Sequence, residues 1–421
     1  MINIKDRIKS IFKTKEIRNK IIFSLLILLI YRVLSAVPVS GIPADALVEL
    51  FKGTQFGDIL STVSVGVLES ATIVAIGLTP YINASIIFQL LGTVIPKLQE
   101  LRKEGPEGRR KISMYTRLAT VPLAILQSFV IYSTLRGFGL IGTLGTLELA
   151  VMAATLTAGA VIMMWMGELI SEDGIGGGTS YLIMLGILSG IPGTIRTNFL
   201  TMDPLQKSFF IGFSVLLIIA TIVITQTERR VPIQYSRRVR AGGAMDSYIP
   251  IKLTQSGVMP VIFAMSLFSF PQLIGKFLVS KDYSEDITMW GNRVLELMNN
   301  QYFYNISVFV LIVAFSFFYL TVVFNTDELA ENLQKQGAFI QGIRPGNETS
   351  EYLRKVSFRL AAVGALFLAL VSILPNIFIN TGFITATVIS GTGLLIVVGV
   401  VLDMKRQIES MMIVRSYDKY L

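Results

Sequence analysis

Chemistry in this chain has to proceed without histidine or cysteine, because its 421 residues include neither. This excludes disulfides, thiol nucleophiles, Cys/His zinc sites and every hydrolase that depends on a Ser-His or Cys-His pair. The glycine-rich string "GIGGGTS" at 174–180 lacks the G-x-x-x-x-G-K-[ST] pattern of a phosphate-binding loop. The sequence therefore offers none of these catalytic or metal-binding sites and no ATP-binding loop, and we expect no cofactor.

The string "GLTPYINASIIFQLLG", which begins at Gly77, places polar residues in an otherwise apolar stretch. On a helix, one face of this stretch carries Leu78, Ile82, Ser85 and Gln89. Pro80 would remove a hydrogen bond from such a helix, and lipid cannot satisfy the carbonyl that is left free. We therefore expect this face to line protein or water. The simpler alternative is packing between helices, with Ser and Gln as interhelical hydrogen bonds.

Membrane helices are the elements that must position these residues. The chain is 52% hydrophobic and only 15% charged, with a mean hydropathy of +0.64, whereas soluble domains carry roughly 25% charged residues. Ten segments are long and apolar enough to cross a bilayer. These predicted spans lie at about 21–38, 70–95, 116–137, 149–170, 179–197, 209–227, 255–278, 305–325, 356–378 and 384–403.

Positive charge gives the orientation of the spans. If the basic N-terminal tail, 1–20, is cytoplasmic, most of the 37 Lys and Arg residues lie on the cytoplasmic side, as the positive-inside rule requires. The same tail lacks the pattern of a cleavable signal peptide. We therefore expect both termini to be cytoplasmic.

Ten spans divide into two sets of five, and an odd number makes the second half cross the membrane in the opposite sense. This arrangement is typical of an inverted repeat. The second and seventh spans share one pattern, Gly77-x-x-Pro80-x-Ile82-x-Ala84 and Gly257-x-x-Pro260-x-Ile262-x-Ala264. The pattern indicates a duplication, with a cavity or gate between the halves.

Two other classes of membrane protein are weighed against these features. A secondary transporter with a five-plus-five inverted repeat usually keeps ionisable groups at mid-membrane, but Arg32, Glu168 and Asp403 lie towards the ends of their spans. An intramembrane protease would need a Ser-His pair or two buried aspartates, and the sequence offers neither.

Seven strings, taken in order, carry a resemblance to a known family. They are "GLTPYINASIIFQLL", "EGRRKISMYTR", "MMWMGELISEDGIGGGTS", "RRVPIQYSRR", "FVLIVAFSFFYLTVVFN", "GIRPG" and "GTGLLIVV". From about residue 15 to the C-terminus, the chain resembles the SecY family, the central channel subunit of the bacterial Sec protein translocase. The resemblance implies an all-α polytopic membrane protein with ten transmembrane helices. They would form two inverted five-helix halves, 21–200 and 201–403, around an hourglass pore, with a cytoplasmic tail at 404–421.

The resemblance also assigns residues to parts of such a channel. The aliphatic ring at its constriction would be Leu78, Ile82, Ile183, Ile262 and Ile396, with Thr179 and Ser266 at more loosely apolar ring positions. The lateral gate, between spans 2–3 and 7–8, would use the polar residues Asn83, Gln89 and Thr254. A plug at about 57–70 would close the pore through Val65, Val67 and Leu68. Cytoplasmic loops 228–254 and 326–359 would dock the motor or the ribosome through Arg229, Arg230, Arg237, Arg238, Arg240 and Arg344.

Two positions depart from the family pattern. Gly177 and Thr254 stand where the family usually has asparagine, in what the resemblance makes the pore and gate region. We expect different gating energetics here rather than a different function.

The function implied is a passive channel. It would pass unfolded secretory polypeptides across the bacterial plasma membrane and release membrane-protein helices sideways into it. The partners implied are small SecE- and SecG-type membrane subunits, the SecA motor ATPase, the ribosome with its RNA, signal sequences, nascent chains and the lipid bilayer.

Overall fold

The computed structural model describes residues 14–39, 72–137, 141–195, 203–235, 247–255, 257–280, 285–380 and 390–418. Its elements, in chain order, are α1 (Lys15–Leu34), α2 (Thr79–Val94), α3 (Pro96–Lys103), α4 (Pro106–Gly137), α5 (Thr146–Asp173), α6 (Gly178–Thr194), α7 (Pro204–Gln226), β1 (Glu228–Tyr235), β2 (Ser247–Lys252), α8 (Met259–Ser280), α9 (Glu285–Asn299), α10 (Gln301–Val323), α11 (Thr326–Lys335), β3 (Ala338–Ile340), α12 (Asn347–Asn380) and α13 (Gly391–Asp418).

Each of the ten predicted spans coincides with a helix. In order, these helices are α1, α2, α4, α5, α6, α7, α8, α10, α12 and α13. Among the described residues, six helices are long and apolar enough to cross a membrane by themselves, namely α4, α5, α7, α8, α10 and α12. The helices α2 and α3 form a further candidate, bent by 103°, and α6 is a shorter apolar helix. The prediction of a helical, multi-pass membrane protein is confirmed.

Three helices extend well beyond the predicted spans. α4 begins at Pro106 rather than near 116, α12 begins at Asn347 rather than near 356, and α13 continues to Asp418. The added turns are rich in charged residues, so hydropathy detects only the apolar part of each helix. Each of these helices therefore continues beyond its apolar segment through charged turns.

The two segments predicted to be docking loops contribute to a small antiparallel sheet that sequence analysis did not predict. Its strand order is β2-β1-β3, with Arg229 opposite Ile251 and Gln234 opposite Phe339. One face of the sheet is buried against α11 and the start of α12, where Val231, Ile251, Leu333, Ala338, Ile340, Leu353 and Val356 form a separate apolar cluster. This cluster fixes the position of both predicted docking loops.

The largest apolar cluster lies where the two halves meet. It draws buried side chains from both halves, including those of α2, α5, α6, α8, α10, α12 and α13. By contrast, α7 exposes a continuous apolar surface that includes Leu216, Ile219 and Val223. Lipid is the solvent that such a surface fits.

Candidate functional site between the two halves

The repeated sequence pattern corresponds to a repeated backbone geometry. Gly77 and Gly257 both have left-handed φ angles, 59° and 60°, which glycine adopts without steric cost. The Gly77 N–H donates to the carbonyl of Val74 at 2.8 Å, and the Gly257 N–H donates to that of Thr254 at 3.1 Å. α2 and α8 each begin two residues after their glycine. The same turn therefore precedes the second helix of each half.

A second glycine supports each turn from a neighbouring helix. A Cβ at Gly159 of α5 would lie 2.0 Å from the carbonyl oxygen of Ile73, and a Cβ at Gly364 of α12 would lie 2.4 Å from that of Leu253. Ile73 and Leu253 stand four residues before Gly77 and Gly257, and α5 and α12 are the fourth spans of their halves. The duplication read from the sequence thus extends to how each turn packs.

The expectation that Pro80 removes a hydrogen bond from its helix is wrong. Pro80 occupies the first turn of α2, and Pro260 is the second residue of α8. At such positions the N–H that proline lacks would have had no intrahelical partner, so proline removes no hydrogen bond. The predicted span at 70–95 therefore begins with non-helical backbone, and the helix itself begins at Thr79.

That non-helical backbone is buried. Val74, Ala75, Ile76 and Leu78 are at most 3% exposed, in a turn that runs from Ile73 to Leu78. Irregular backbone at membrane depth is tolerated where protein encloses it. The turn therefore presents Leu78 to the interior between the halves.

The five aliphatic residues assigned to the ring lie in one cluster. Leu78, Ile82, Ile183, Ile262 and Ile396 all belong to the largest apolar cluster and are at most 6% exposed. Leu78 directly precedes α2, and the other four lie in the first two turns of α2, α6, α8 and α13. The structure therefore brings these residues together at helix N-termini from both halves.

The two polar ring positions differ from each other. Ser266 is fully buried, and its Oγ has no hydrogen-bond partner among the described residues. Thr179 is only half-buried, in the first turn of α6. Ser266 is therefore buried as the five aliphatic ring residues are, whereas Thr179 is not.

Polar groups without partners mark the helices assigned to the gate. Asn83 on α2 is fully buried, and neither its Oδ1 nor its Nδ2 has a hydrogen-bond partner in the described part of the chain. The same holds for both side-chain polar atoms of Gln272 on α8, a residue that sequence reasoning missed. A buried amide without a partner costs free energy. Water or a polar polypeptide at these positions would recover that cost.

A contact between the halves involves Gln89, the other predicted gate amide. The side chain of Gln89 on α2 approaches the hydroxyl of Tyr319 on α10. Tyr319 also packs edge-on against Phe263 of α8, with ring centroids 5.8 Å apart. Sequence reasoning did not single out Tyr319, because its partner lies 230 positions away in the chain.

The four gate helices pack as two pairs that touch through α8. α2 packs along α4, α8 packs along α10, and α8 also contacts α2 and α4. Phe88 of α2 stacks on Tyr115 of α4 at 6.3 Å between centroids. Separating the halves along this line would therefore leave each pair intact.

Thr254 lies beside a small cavity ahead of α8. It is 6% exposed, and its Oγ1 has no partner among the described residues. Thr254, Gln255, Ser316 and Gly364 line a cavity of about 10 Å³, which is close to the smallest volume that holds one water molecule. Gly177 lies elsewhere, exposed at the N-terminus of α6, so the structure does not bring the two departures together.

The described arginines of the predicted docking loops lie on the sheet and on a turn. Arg229 and Arg230 are exposed on β1; Arg230 pairs with Glu228 at 3.1 Å and stacks on Tyr248, 4.7 Å from its ring centroid. Partial burial, with nearby Arg406, lowers the pKa of Lys252 on β2.

Arg344 occupies an exposed turn that two glycines shape. Gly342 and Gly346 have φ angles of 80° and 100°, and the Arg344 carbonyl accepts a hydrogen bond from Thr349 Oγ1 at 2.8 Å. The arginine side chain is therefore presented to solvent by a fixed backbone.

Other predicted site residues lie outside the described residues. They are Val65, Val67 and Leu68 of the plug, and Arg237, Arg238 and Arg240 of the first docking loop.

Comparison with known proteins identifies relatives over the whole length of the chain. The model of the SecY family matches residues 72–405. The protein translocase subunit SecY of Mycobacterium tuberculosis is 37% identical over 435 residues, covering 98% of this chain and 98% of that protein. The subunit of the same name from Bacillus subtilis is 37% identical over 433 residues, covering 98% and 99%.

Solved structures show a likeness of fold. A structure of a protein-conducting channel has a TM-score of 0.68 at 18% identity and covers 93% of this chain and 92% of its own. Sec61 in a canine ribosome–channel complex of the endoplasmic reticulum has a TM-score of 0.64 at 18% identity, with the same coverage.

Proposed function

Because this chain belongs to the SecY family, we propose that it is the central subunit of a protein-conducting channel. It passes unfolded secretory polypeptides across the membrane and releases membrane-protein helices sideways into lipid. The channel is passive and is driven by a partner motor or by the elongating ribosome. The observation that carries this proposal is the apolar cluster that unites Leu78, Ile82, Ile183, Ile262 and Ile396.

The proposed seal follows from the chemistry of those five side chains. A narrow aliphatic collar excludes water and therefore resists ions. It offers no hydrogen bonds to a passing chain, so it has little preference for sequence. Its residues come from four helices in two halves, so a small separation of the halves would widen it.

The proposed lateral gate is the contact between the α2–α4 pair and the α8–α10 pair. The buried, unpartnered amide of Asn83 and the side chain of Gln89 lie on its α2 side, and Tyr319 lies on its α10 side. These polar groups in an apolar setting can take new hydrogen-bond partners. A signal sequence entering here would replace helix–helix packing by its own apolar surface, while its backbone ends meet polar side chains.

The cytoplasmic face is proposed as the docking surface. Exposed Arg229 and Arg230 on β1 and exposed Arg344 on its turn suit phosphates of ribosomal RNA and acidic surfaces of a SecA-type motor. Small subunits of the SecE and SecG type would cover part of the apolar outer surface. The Lys and Arg distribution supports a bacterial plasma-membrane location with both termini cytoplasmic.

A secondary transporter is less well supported. Among the described residues, the polar side chains that are fully buried belong to Ser, Thr, Asn and Gln. Ion-coupled transport usually needs an ionisable group inside the membrane.

Reconstitution of the purified channel with its motor ATPase tests the proposal. Vesicles supplied with ATP and an unfolded secretory polypeptide should protect that polypeptide from added protease. Arg344→Gln should reduce this protection while the channel still inserts into the membrane at normal levels. Glu351→Gln, an exposed change on the same face, serves as the control. Equal export by the Arg344→Gln and wild-type proteins would contradict the docking role, and no protection with wild-type protein would contradict the channel.

A further inference from the structure

The amphipathic helix α9 joins two membrane helices without crossing the membrane itself. It ends at Asn299, and one residue, Asn300, separates it from α10. The Asn300 Oδ1 accepts hydrogen bonds from the N–H groups of Tyr302 and Phe303 at 3.0 and 3.3 Å, so Asn300 caps α10. α9 is therefore held at the end of a membrane span.

Two glycines bring α9 close against the end of α8. A Cβ at Gly291 would lie 2.8 Å from Cγ2 of Val279 and 3.2 Å from the carbonyl oxygen of Gly275. A Cβ at Gly275 would lie 3.1 Å from the side chain of Leu295. One side of α9 is therefore occupied by α8.

The apolar side of α9 extends beyond the part that packs against α8. Ile287, Trp290 and Leu297 are 37%, 61% and 55% exposed, and at 100° per residue they fall within an arc of about 80°. Asn292 and Glu296 lie on the opposite side and are exposed. Met289, 45% exposed, lies outside the arc. An exposed apolar stripe therefore remains beside the α8 contact.

The neighbouring ends of α8 and α10 continue this apolar surface. Ile274 on α8 is 56% exposed, and Tyr302 and Ile306 on α10 are 82% and 65% exposed. Both helices belong to segments long and apolar enough to span a membrane. The surface that meets the stripe on each side is thus one that faces lipid.

The chemistry of the stripe fits the boundary between lipid and water. Tryptophan is enriched at this boundary because its ring is apolar and its N–H is polar. The guanidinium carbon of Arg293 lies 5.8 Å from the Trp290 ring centroid. A cation beside a ring at this depth can reach lipid phosphates.

We propose that α9 lies in the plane of the membrane boundary, with Ile287, Trp290 and Leu297 in the acyl region and Arg293 at the phospholipid headgroups. Because α9 is packed on α8 and joined to α10 by one residue, it anchors the ends of both helices at a fixed depth. This membrane-surface site is distinct from the proposed pore, and its test does not depend on polypeptide transport.

The two tryptophans of the chain, Trp165 and Trp290, make the test direct. Trp165→Phe leaves Trp290 as the single tryptophan. The full-length protein is reconstituted into phosphatidylcholine–phosphatidylglycerol vesicles that contain phosphatidylcholine brominated on its acyl chains. Quenching by the brominated lipid is compared with quenching by iodide present on both sides of the membrane. The matched control carries Asn292→Trp in a chain whose own two tryptophans are phenylalanine, which places the fluorophore on the opposite side of α9.

The proposal predicts opposite results for the two positions. Trp290 should lose most of its fluorescence to brominated lipid and little to iodide, whereas the tryptophan at position 292 should show the reverse. Iodide quenching of Trp290 as strong as that at position 292 would overturn the proposal, because the stripe would then face water. Resistance of Trp290 to both quenchers would also overturn it, because another protein surface would then cover the stripe.

Discussion

The turns that lead into α2 and α8 have the same backbone but different surroundings. Both contain a left-handed glycine, Gly77 or Gly257, and both rest on a glycine of the fourth span in their half, Gly159 or Gly364. We call them the first turn, 73–78, and the second turn, which comprises the described residues 253–255 and 257–258. Their likeness agrees with the duplication that the sequence pattern indicates.

The difference between the turns lies in their side chains. The first turn buries Val74, Ala75 and Ile76, which are wholly apolar. The second turn carries Thr254 and Gln255, each with a buried oxygen that lacks a partner among the described residues, next to the cavity of about 10 Å³. In the proposed channel the repeated backbone would support the apolar seal from both halves. Of the described residues in the two turns, only those of the second turn carry buried side-chain oxygens without a partner.

The largest effects should come from breaking the support that both turns share. Gly159→Ala and Gly364→Ala would each place a methyl group against a backbone oxygen, at 2.0 and 2.4 Å. We expect each to destabilise the protein by about 1–3 kcal/mol, Gly159→Ala the more, because the backbone must shift. Thermal unfolding in detergent measures the effect.

The matched control for those substitutions is Gly212→Ala on α7. A Cβ there meets no atom within 4 Å, so the change should be neutral or stabilising by up to about 1 kcal/mol, through helix propensity alone. Equal melting temperatures for the Gly159→Ala and Gly212→Ala proteins would show that the close contact does not support the first turn.

A smaller effect should follow from removing the left-handed glycines. At Gly257 a Cβ meets no atom within 4 Å, so Gly257→Ala should cost about 1 kcal/mol from backbone strain alone. Gly257→Asn should cost less, since asparagine tolerates this conformation. Gly77→Ala should resemble Gly257→Ala if the turns are equivalent. Equal melting temperatures for the Gly257→Ala and Gly257→Asn proteins would contradict the attribution of the cost to the left-handed backbone.

A substitution at Thr254 tests whether the polar side chains of the second turn affect the closed state. Thr254→Asn adds an interhelical donor and should hold the closed state more firmly by about 0.6 kcal/mol. This corresponds to a roughly threefold lower ion leak, with slower export. Leak and export are compared with those of Thr254→Val, which lacks the hydroxyl. If the Thr254→Asn protein shows the wild-type ion leak and export, the assignment of Thr254 to the gate is wrong.

The smallest effect on export is expected at Gly177, the second position where the family usually has asparagine. It is the N-cap of α6, with φ −78° and ψ 109°, and a Cβ there would lie 3.9 Å from Ser180 Oγ. Asparagine is a better N-cap than glycine by a few tenths of a kcal/mol. Gly177→Asn should therefore change export only slightly. An effect larger than that of Thr254→Asn would reverse the ranking of the two positions.

The spans and the repeat were readable from sequence because both depend on local pattern. Hydropathy located a helix at each of ten positions, and the shared Gly-x-x-Pro string identified the two turns. The start of α2 at Thr79 was not readable, because hydropathy cannot distinguish a buried turn from a helix. The glycine partners at 159 and 364 could not be foreseen either, since nothing local pairs them with the turns.

The candidate site was readable only in part, for related reasons. The strings around Ile82 and Ile262 pointed to residues that the structure places in one cluster. Gln89 and Tyr319 meet only because the halves fold together, and Gln272 lies in an apolar run that gives it no distinguishing pattern. The sheet was missed because β1 and β2 are short and contain Pro232 and Pro250, which argue against strands.

Single-channel conductance of the purified, reconstituted protein tests the central claim most directly. Ile82→Asn and Ile262→Asn should each raise the resting ion leak, and the double substitution should raise it further, because a polar collar admits water. Ile86→Asn, also buried in α2 but outside the proposed ring, should lower stability without raising the leak. An unchanged seal in both ring variants, or an equal leak from Ile86→Asn, would contradict the assignment of an aliphatic ring to these residues.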